Sequence, residues 1–376
     1  MGPDHYDVIV VGAGPAGCAA AAAIAQAAPQ LAVLVVDRAD FPRDKACGDG
    51  IAHEVRQELS DLGFDVERVF DGVVQVAELA LRSPTGVLAH RRMRHQVQVA
   101  PRQIFDARLV DEVRRLGIEV RRHSVRTVEV DTDGVSLDGA LRARVVIGAD
   151  GAESAVRRAV AAPPPGQVAL AIRGYAPELP EFAGSQFITM TDQHWPAYAW
   201  SFPIGDGRAN VGYGELLGRR SLSRDELLAR LHSLLPGLAE PAGLRAHRLP
   251  LSSGRPPIPD GPVLLAGDAQ SMINPFTGEG IFYAVVSGGL AGLAAAGALA
   301  AGEDAGSRYR AATRRRLGRH LRHTTALARL GGWTALIDAG LRAGRDDQRA
   351  FDDLVSFGLA DGLLTARLLS RLRFSG

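Results

Sequence analysis

The chain is almost without lysine. Of its 376 residues only Lys45 is one, and the rest of its permanent positive charge is arginine. That bias, together with the abundance of Ala, Gly and Arg, reflects genome composition rather than function. Cysteine is nearly absent as well. Cys18 and Cys47 are too few for a disulfide framework, which points to a reducing, cytoplasmic setting. A formal net charge of +1 gives no reason to expect nucleic acid as a partner. The N-terminus "MGPDHYDVIVVGAG" has no basic leader region, so no signal peptide is expected. His53, His194 and the other histidines show no metal-ligand spacing, and no metal is expected. One stretch lacks charge altogether, "IFYAVVSGGLAGLAAAGALAAG" from Ile281 to Gly302. It is long enough to span a bilayer. Because it is mostly Ala and Gly, the expectation is a helix of small residues packed closely against a sheet.

What is present is an ordinary globular composition, 46% hydrophobic and 23% charged. "YDVIVVGAGPAG" is an apolar, β-rich run ending in glycines. Ala-rich "AGCAAAAAIAQAA" should be helix, and "LAVLVVDR" a second buried strand, giving a β-α-β unit. "PRQIFDARLVDEVRRLG" has helical spacing at Ile104, Leu109, Val113 and Leu116, with Gly117 as a stop. After it come short strands with Asp-Gly turns, then the buried strand "RVVIGADG". "PVLLAGDAQ" reads as another strand. Between these pieces the pattern alternates polar and apolar, and "YAWSFPIGDGRANVGYG" reads as a hairpin around "GDGR". "AAPPPGQ", 161–167, looks like a crossing point. The expected fold class is therefore α/β. A Rossmann-like domain is built from 1–60, 101–162 and 251–304. A mostly antiparallel β-sheet domain is inserted as 61–100 and 163–250, and the tail, 305–376, is helical.

"GAGPAG" places Gly12, Gly14 and Gly17 between a strand and a helix. Gly12 permits the tight turn, Gly14 lets backbone approach a pyrophosphate, and Gly17 permits close helix–strand packing. The helix N-terminus faces the phosphates with partial positive charge. Asp37 ends the second strand, where an acid binds a ribose hydroxyl pair. The cofactor is then FAD or NAD rather than NADP.

Three further pieces narrow the choice. "VVIGADGAESAVRR" and "LLAGDAQSMINPFTGEGI" resemble the second and third FAD fingerprints of the p-hydroxybenzoate hydroxylase-like flavoproteins. That resemblance implies that Asp268 binds the ribityl chain and that Thr277 to Ile281 lie along the flavin ring, with Arg102 facing the phosphates or ribityl. "FPRDKACGDGI", "PRQIFDARL", "YAWSFPIGDGRANVGYG" and "NPFTGEGIFYAVVSG" are similar to segments of the geranylgeranyl reductase family, which includes archaeal lipid, chlorophyll side-chain and menaquinone side-chain reductases. The resemblance runs from residue 6 to about 290, and the tail carries nothing that matches.

The resemblance implies a cofactor set of Gly12, Gly14, Pro15, Ala16, Gly17, Asp37, Arg38, Arg43, Cys47, Gly48, Arg102, Asp150, Gly267, Asp268, Pro275, Thr277, Gly278, Gly280 and Ile281. It puts Cys47 beside the flavin, with Lys45 and Arg43 near it. Cys47, Lys45 and Glu279 are the candidate catalytic residues, Glu279 as a proton source. A bland reading stands beside each: a packing cysteine, a solvated lysine, a structural glutamate. Cys18 reads as helix packing. Tyr198, Trp200 and Phe202 alternate at strand spacing, so they share a face and line a substrate pocket or fill a strand core. "YAWSFP" also resembles the Trp-x-Trp-x-Ile-Pro motif of flavin-dependent halogenases, but Tyr198 and Phe202 replace two of its residues and Lys45 stands in the wrong segment. "RYRAATRRRLGRHLRHTTALAR" is read as a solvated face, or as a surface meeting anionic lipid.

The implied activity is FAD-dependent reduction of a carbon–carbon double bond in an apolar, isoprenoid or prenylated metabolite. The alternatives are an FAD-dependent monooxygenase, hydroxylating or epoxidising a biosynthetic intermediate, and a flavin-binding or membrane-associated partner protein without catalysis. The electron donor would be external, NAD(P)H or a reduced carrier.

Overall fold

The structure, a computed structural model, describes residues 4–160, 166–218, 221–330 and 334–372. The first five residues of the Pro-rich stretch at 161–167 fall outside these, as does Trp333.

Two sheets organise the chain. In the first, Glu119–Arg122, Val33–Asp37, Asp4–Val11 and Leu141–Gly148 lie side by side and parallel. The inner three are buried on both faces toward their C-terminal ends, which is why their cores are unbroken runs such as "VIVV" and "VLVV", whereas Glu119–Arg122 is an exposed edge. Leu141–Gly148 divides its pairing. Residues 141–143 join the antiparallel strands Gly134–Leu137 and Val128–Asp131, and residues 146–148 pair with Val263–Leu265. Asp138 and Gly139 both have positive φ, as a tight Asp-Gly hairpin turn requires.

The second sheet runs in the order Ala242–Pro250, Val168–Pro177, Arg208–Leu216, Ala197–Pro203, Gln186–Met190, Val74–Arg82, Leu88–Val99, Gly50–Ile51. Every neighbouring pair is antiparallel except Gln186–Met190 with Val74–Arg82. The short strand Gly50–Ile51 carries the chain from one sheet to the other, so the segment just before it sits at the junction.

The uncharged helix Ile281–Ala301 shares its core with Val8, Val10, Val145 and Ile147 of the first sheet, as its composition suggested, but its closest partner is a helix. It packs on the helix Pro15–Ala27. A Cβ at Gly288 would sit 2.0 Å from the Ala16 carbonyl oxygen, and one at Gly292 would sit 2.3 Å from that of Ala20. The small residues exist for this approach of two backbones. This is the helix long and apolar enough to cross a bilayer, and 61% of its most apolar window is buried in the protein. Its own Ile281, Phe282 and Val285 point into the core, each contributing about 1.5–3 kcal/mol on burial.

The tail is helical over Ala305–Leu330, Thr334–Asp346, Gln348–Leu359 and Ala366–Arg371. The first of these helices buries Tyr309, Leu317 and Leu321 and turns its arginines outward. Arg308, Arg310 and Arg316 pair with Glu303, Asp260 and Glu58. Exposed pairs of this kind contribute about 0–1 kcal/mol each. The next two helices set Ile337, Leu341 and Phe351 against Val76, Leu79 and Val97 of the second sheet.

Candidate active site

The glycine turn has the shape of a phosphate cradle. Gly12 has φ +104°, and a Cβ there would meet the Ala149 oxygen at 2.3 Å. At Gly17 a Cβ would meet the Gly12 oxygen at 1.8 Å. Gly14 differs, because a Cβ there would find only Arg43 Nη2, at 3.6 Å, so its backbone faces an open space with a guanidinium beside it. The helix beginning at Pro15 has no acidic residue in its first turn to offset its positive end. Asp37 accepts from Ala13 N at 2.8 Å and Ala39 N at 2.9 Å, which fixes its carboxylate beside the turn. Arg38 follows it, exposed at the strand end. Ala16 and Gly267 pack together, 3.1 Å from a Cβ placed on Gly267. These residues fit a dinucleotide phosphate.

Arg102 lies next to this cradle, 4% exposed, and makes two 2.6 Å bonds to Asp106. Arg43 reaches the same carboxylate at 2.9 Å. Two guanidiniums on one buried carboxylate leave a net positive charge facing the cradle. Asp150 is used locally: it accepts from Ser154 Oγ at 2.6 Å and Ala155 N at 2.7 Å, capping the short helix Ala155–Ala159. Burial raises its carboxyl against those bonds.

A cavity of about 320 Å³ begins at the cradle's Pro15 and runs between the second sheet and the tail. At its polar end stand Lys45, Cys47, Gly48, Arg102, Asp268 and the turn Pro275–Ile281, including Thr277, Gly278, Glu279 and Gly280. Lys45 Nζ donates to Asp268 Oδ2 at 3.0 Å, and His247 Nε2 lies 3.8 Å from the same oxygen. Burial works against its charge, yet Lys45 and His247 hold the Asp268 carboxyl well below the usual carboxylate range. Burial pushes the Cys47 thiol up, opposed by Arg102. Cys47 therefore enters the cavity as a neutral thiol and not as a nucleophilic thiolate. Cys18 is fully buried, its Sγ 3.4 Å from the Ala13 oxygen.

Glu279 precedes the helix Ile281–Ala301 and accepts from Phe282 N at 2.9 Å. Burial raises its carboxyl to about 7, even though the backbone N–H groups of the helix start favour its charge. A carboxyl that is half protonated near neutrality and lines a cavity is equipped to give up a proton.

Tyr198, Trp200 and Phe202 all line the cavity. Gly214 and Gly212 stand opposite Tyr198 and Trp200 across the hairpin. A Cβ at Gly212 would lie 2.2 Å from Trp200 Cζ2, so the glycine makes the slot in which the indole lies. The Tyr198 hydroxyl donates to the Thr277 carbonyl, joining this wall to the glycine-rich turn. The far arm of the cavity is apolar. Ile188 and Met190 come from the sheet, and Leu336, Leu341, Leu354 and Leu368 from the tail helices.

Several residues of the site went unnamed in the sequence. Arg173, Tyr175 and Asn210 of the second sheet hold the Lys45–Asp49 segment, and Arg173 Nη2 donates to Asp44 at 2.6 Å and to the Lys45 oxygen at 2.9 Å. Asn210 and Asp49 sit inside the quoted motifs, so polarity within an apolar strand and a glycine turn was the available signal. Arg173 and His247 carried none. Among the described residues no three His, Cys, Asp or Glu gather as metal ligands.

Known proteins share this architecture. Residues 5–188 match the FAD binding domain family. Menaquinone reductase of Mycobacterium tuberculosis is 31% identical over 322 residues, 77% of this chain and 76% of the relative. Digeranylgeranylglycerophospholipid reductase 1 of Methanopyrus kandleri is 31% identical over 324 residues, 77% of this chain and 80% of the relative. A geranylgeranyl bacteriochlorophyll reductase-like structure from Thermoplasma acidophilum superposes with a TM-score of 0.80 at 20% identity, covering 98% of this chain and 96% of that one.

Proposed function

The chain belongs to the geranylgeranyl reductase family of FAD-dependent oxidoreductases, and from that premise we propose how its residues reduce an isoprenoid double bond. One observation carries the reading: the cavity joins the FAD-holding residues to an apolar arm without a break. Bound and reduced, FAD supplies the hydride. Gly12, Gly14, Gly17, Arg43 and Arg102 hold the phosphates, Asp37 the ribose and Asp268 the ribityl chain. The backbone of Thr277–Ile281 faces the ring. Glu279 carries the proton that the second alkene carbon needs. Tyr198, Trp200 and Phe202 orient the alkene, and the leucines of the arm take up the chain and keep water out.

An aromatic wall and a leucine-lined arm suit an isoprenoid chain better than a compact polar substrate. The fold itself hosts several flavin chemistries and does not decide among them. Electrons come from NAD(P)H or a reduced carrier. The exposed arginines of the Ala305–Leu330 helix give a peripheral contact with anionic lipid, which co-sedimentation with phosphatidylglycerol vesicles tests.

The deciding test of Glu279 is product analysis in deuterated water. With wild type, the proton that Glu279 relays arrives as solvent deuterium on one carbon of the reduced bond. With Glu279→Gln the turnover falls while FAD stays bound. Unchanged turnover would remove Glu279 from the mechanism.

A further inference from the structure

We propose that Asp49 is a positioning residue: with Asn210 and Tyr175 it fixes the Cys47–Gly48 turn against the aromatic wall of the pocket. The proposal rests on reading this pocket as the flavin site.

Asp49 is unexposed and has φ +62°, a left-handed conformation uncommon for a residue with a side chain. Its backbone oxygen accepts from Ala100 N at 2.9 Å. Its Oδ2 accepts from Tyr175 OH at 2.7 Å and from Asn210 Nδ2 at 2.7 Å. The same Asn210 nitrogen donates to the Cys47 carbonyl at 2.9 Å, and Asn210 Oδ1 accepts from Trp200 Nε1 at 2.8 Å. Both amide hydrogens and the amide oxygen of Asn210 are thus committed, which ties turn and wall into one unit. The glycines flanking Asp49 confirm the close fit. A Cβ at Gly48 would lie 3.5 Å from Trp200 Nε1, and one at Gly50 would lie 3.3 Å from Phe202 Cε2.

The charged and titratable groups facing Asp49 are Arg173 and Tyr175 of the strand Val168–Pro177, Arg102 of the helix Arg102–Arg115, and Cys47 of its own turn. Burial lifts the carboxyl to about 6, opposed by Tyr175, Asn210 and the two arginines. Above that pH the carboxylate holds both donors. Below it the neutral acid holds them less strongly and the turn loosens. Activity then falls on the acid side, through Asp49 and not through a group that meets substrate.

The test compares Asp49→Asn, Asp49→Ala and Tyr175→Phe in the FAD-loaded enzyme. Asparagine tolerates the left-handed conformation and keeps an acceptor oxygen, but it does not titrate. Asp49→Asn is expected to abolish the acid limb near pH 6. Asp49→Ala is expected to lose about 10- to 100-fold in kcat/KM, as removal of a charged hydrogen-bond partner does, and to shift the absorption spectrum of bound FAD. Tyr175→Phe removes a donor to the carboxylate and should move the acid limb to higher pH. An acid limb that persists in Asp49→Asn, or a wild-type flavin spectrum in Asp49→Ala, overturns the proposal. The spectrum needs no substrate. If the wild type reduces no alkene, the reductase reading fails, and the flavin spectra still decide the role of Asp49.

Discussion

The Thr277 hydroxyl donates to the Gly358 carbonyl at 2.6 Å, so the glycine-rich turn that we propose meets the flavin is bonded to the C-terminal region. Tyr283 reinforces the link, donating to the Ala360 oxygen at 2.8 Å, and Asn274 Nδ2 donates to that hydroxyl at 3.0 Å. The tail is thus part of the cavity's wall and not an appendage to it. Thr277→Val keeps the shape and strands the carbonyl of Gly358. A loss of about 1–3 kcal/mol is expected. It is read as a lower Tm with FAD bound and a weaker FAD Kd.

Glu279 fixes a second expectation. Its carboxyl titrates near 7 when folded and lower when unfolded, so the folded protein binds the extra proton. The stability this contributes is present at low pH and is lost as pH rises through about 7. Turnover that needs the protonated acid falls over the same range. Glu279→Gln should therefore remove the alkaline limb of the pH–rate profile and gain Tm over wild type at pH 8, but not at pH 5. The stability difference is about 3 kcal/mol, measured by denaturation of the FAD-free protein at the two pH values.

The packing of the two core helices fixes a third. Gly288→Ala places a methyl 2.0 Å from the Ala16 oxygen, a backbone atom that cannot move aside alone. The helix carrying the phosphate cradle must shift. A cost of about 1–3 kcal/mol is expected, with weaker FAD binding in proportion. Chemical denaturation with and without FAD checks both.

These features were unequally legible. The glycine turn, its helix and Asp37 could be read because each position answers to a local demand of backbone geometry. The hairpin of Tyr198, Trp200 and Phe202 could be read from its two-residue period. What faces the Ile281–Ala301 helix could not, because small residues declare a close approach and not the partner. Arg173, Asn210 and His247 were hidden for another reason. Arg173 and Asn210 act across more than a hundred residues of sequence, on Asp44 and Cys47, and His247 acts on Asp268 from a different element, and polarity alone does not name a partner. The tail's leucines read as an ordinary helical core, and only their position against Ile188 and Met190 makes them a pocket wall.

The arm yields a fourth expectation. Leu354 lines it from the helix Gln348–Leu359. Leu354→Trp fills space that a long chain would occupy and leaves the polar end untouched. KM for a long prenyl chain should rise roughly tenfold, as about 1.4 kcal/mol of lost binding produces. A short prenyl substrate should be unaffected. Steady-state kinetics with both substrates separates this from general damage.

The most direct measurement of the central claim is a single anaerobic turnover. The FAD-loaded protein is reduced and mixed with a prenylated quinone without oxygen. The quinone head is reoxidised afterwards, and the product is weighed by mass spectrometry. An alkene reductase predicts a mass gain of two hydrogens retained in the prenyl chain, at a rate matching flavin oxidation. A chain that returns unsaturated, with product formed only when oxygen is admitted and carrying an added oxygen atom, would contradict it.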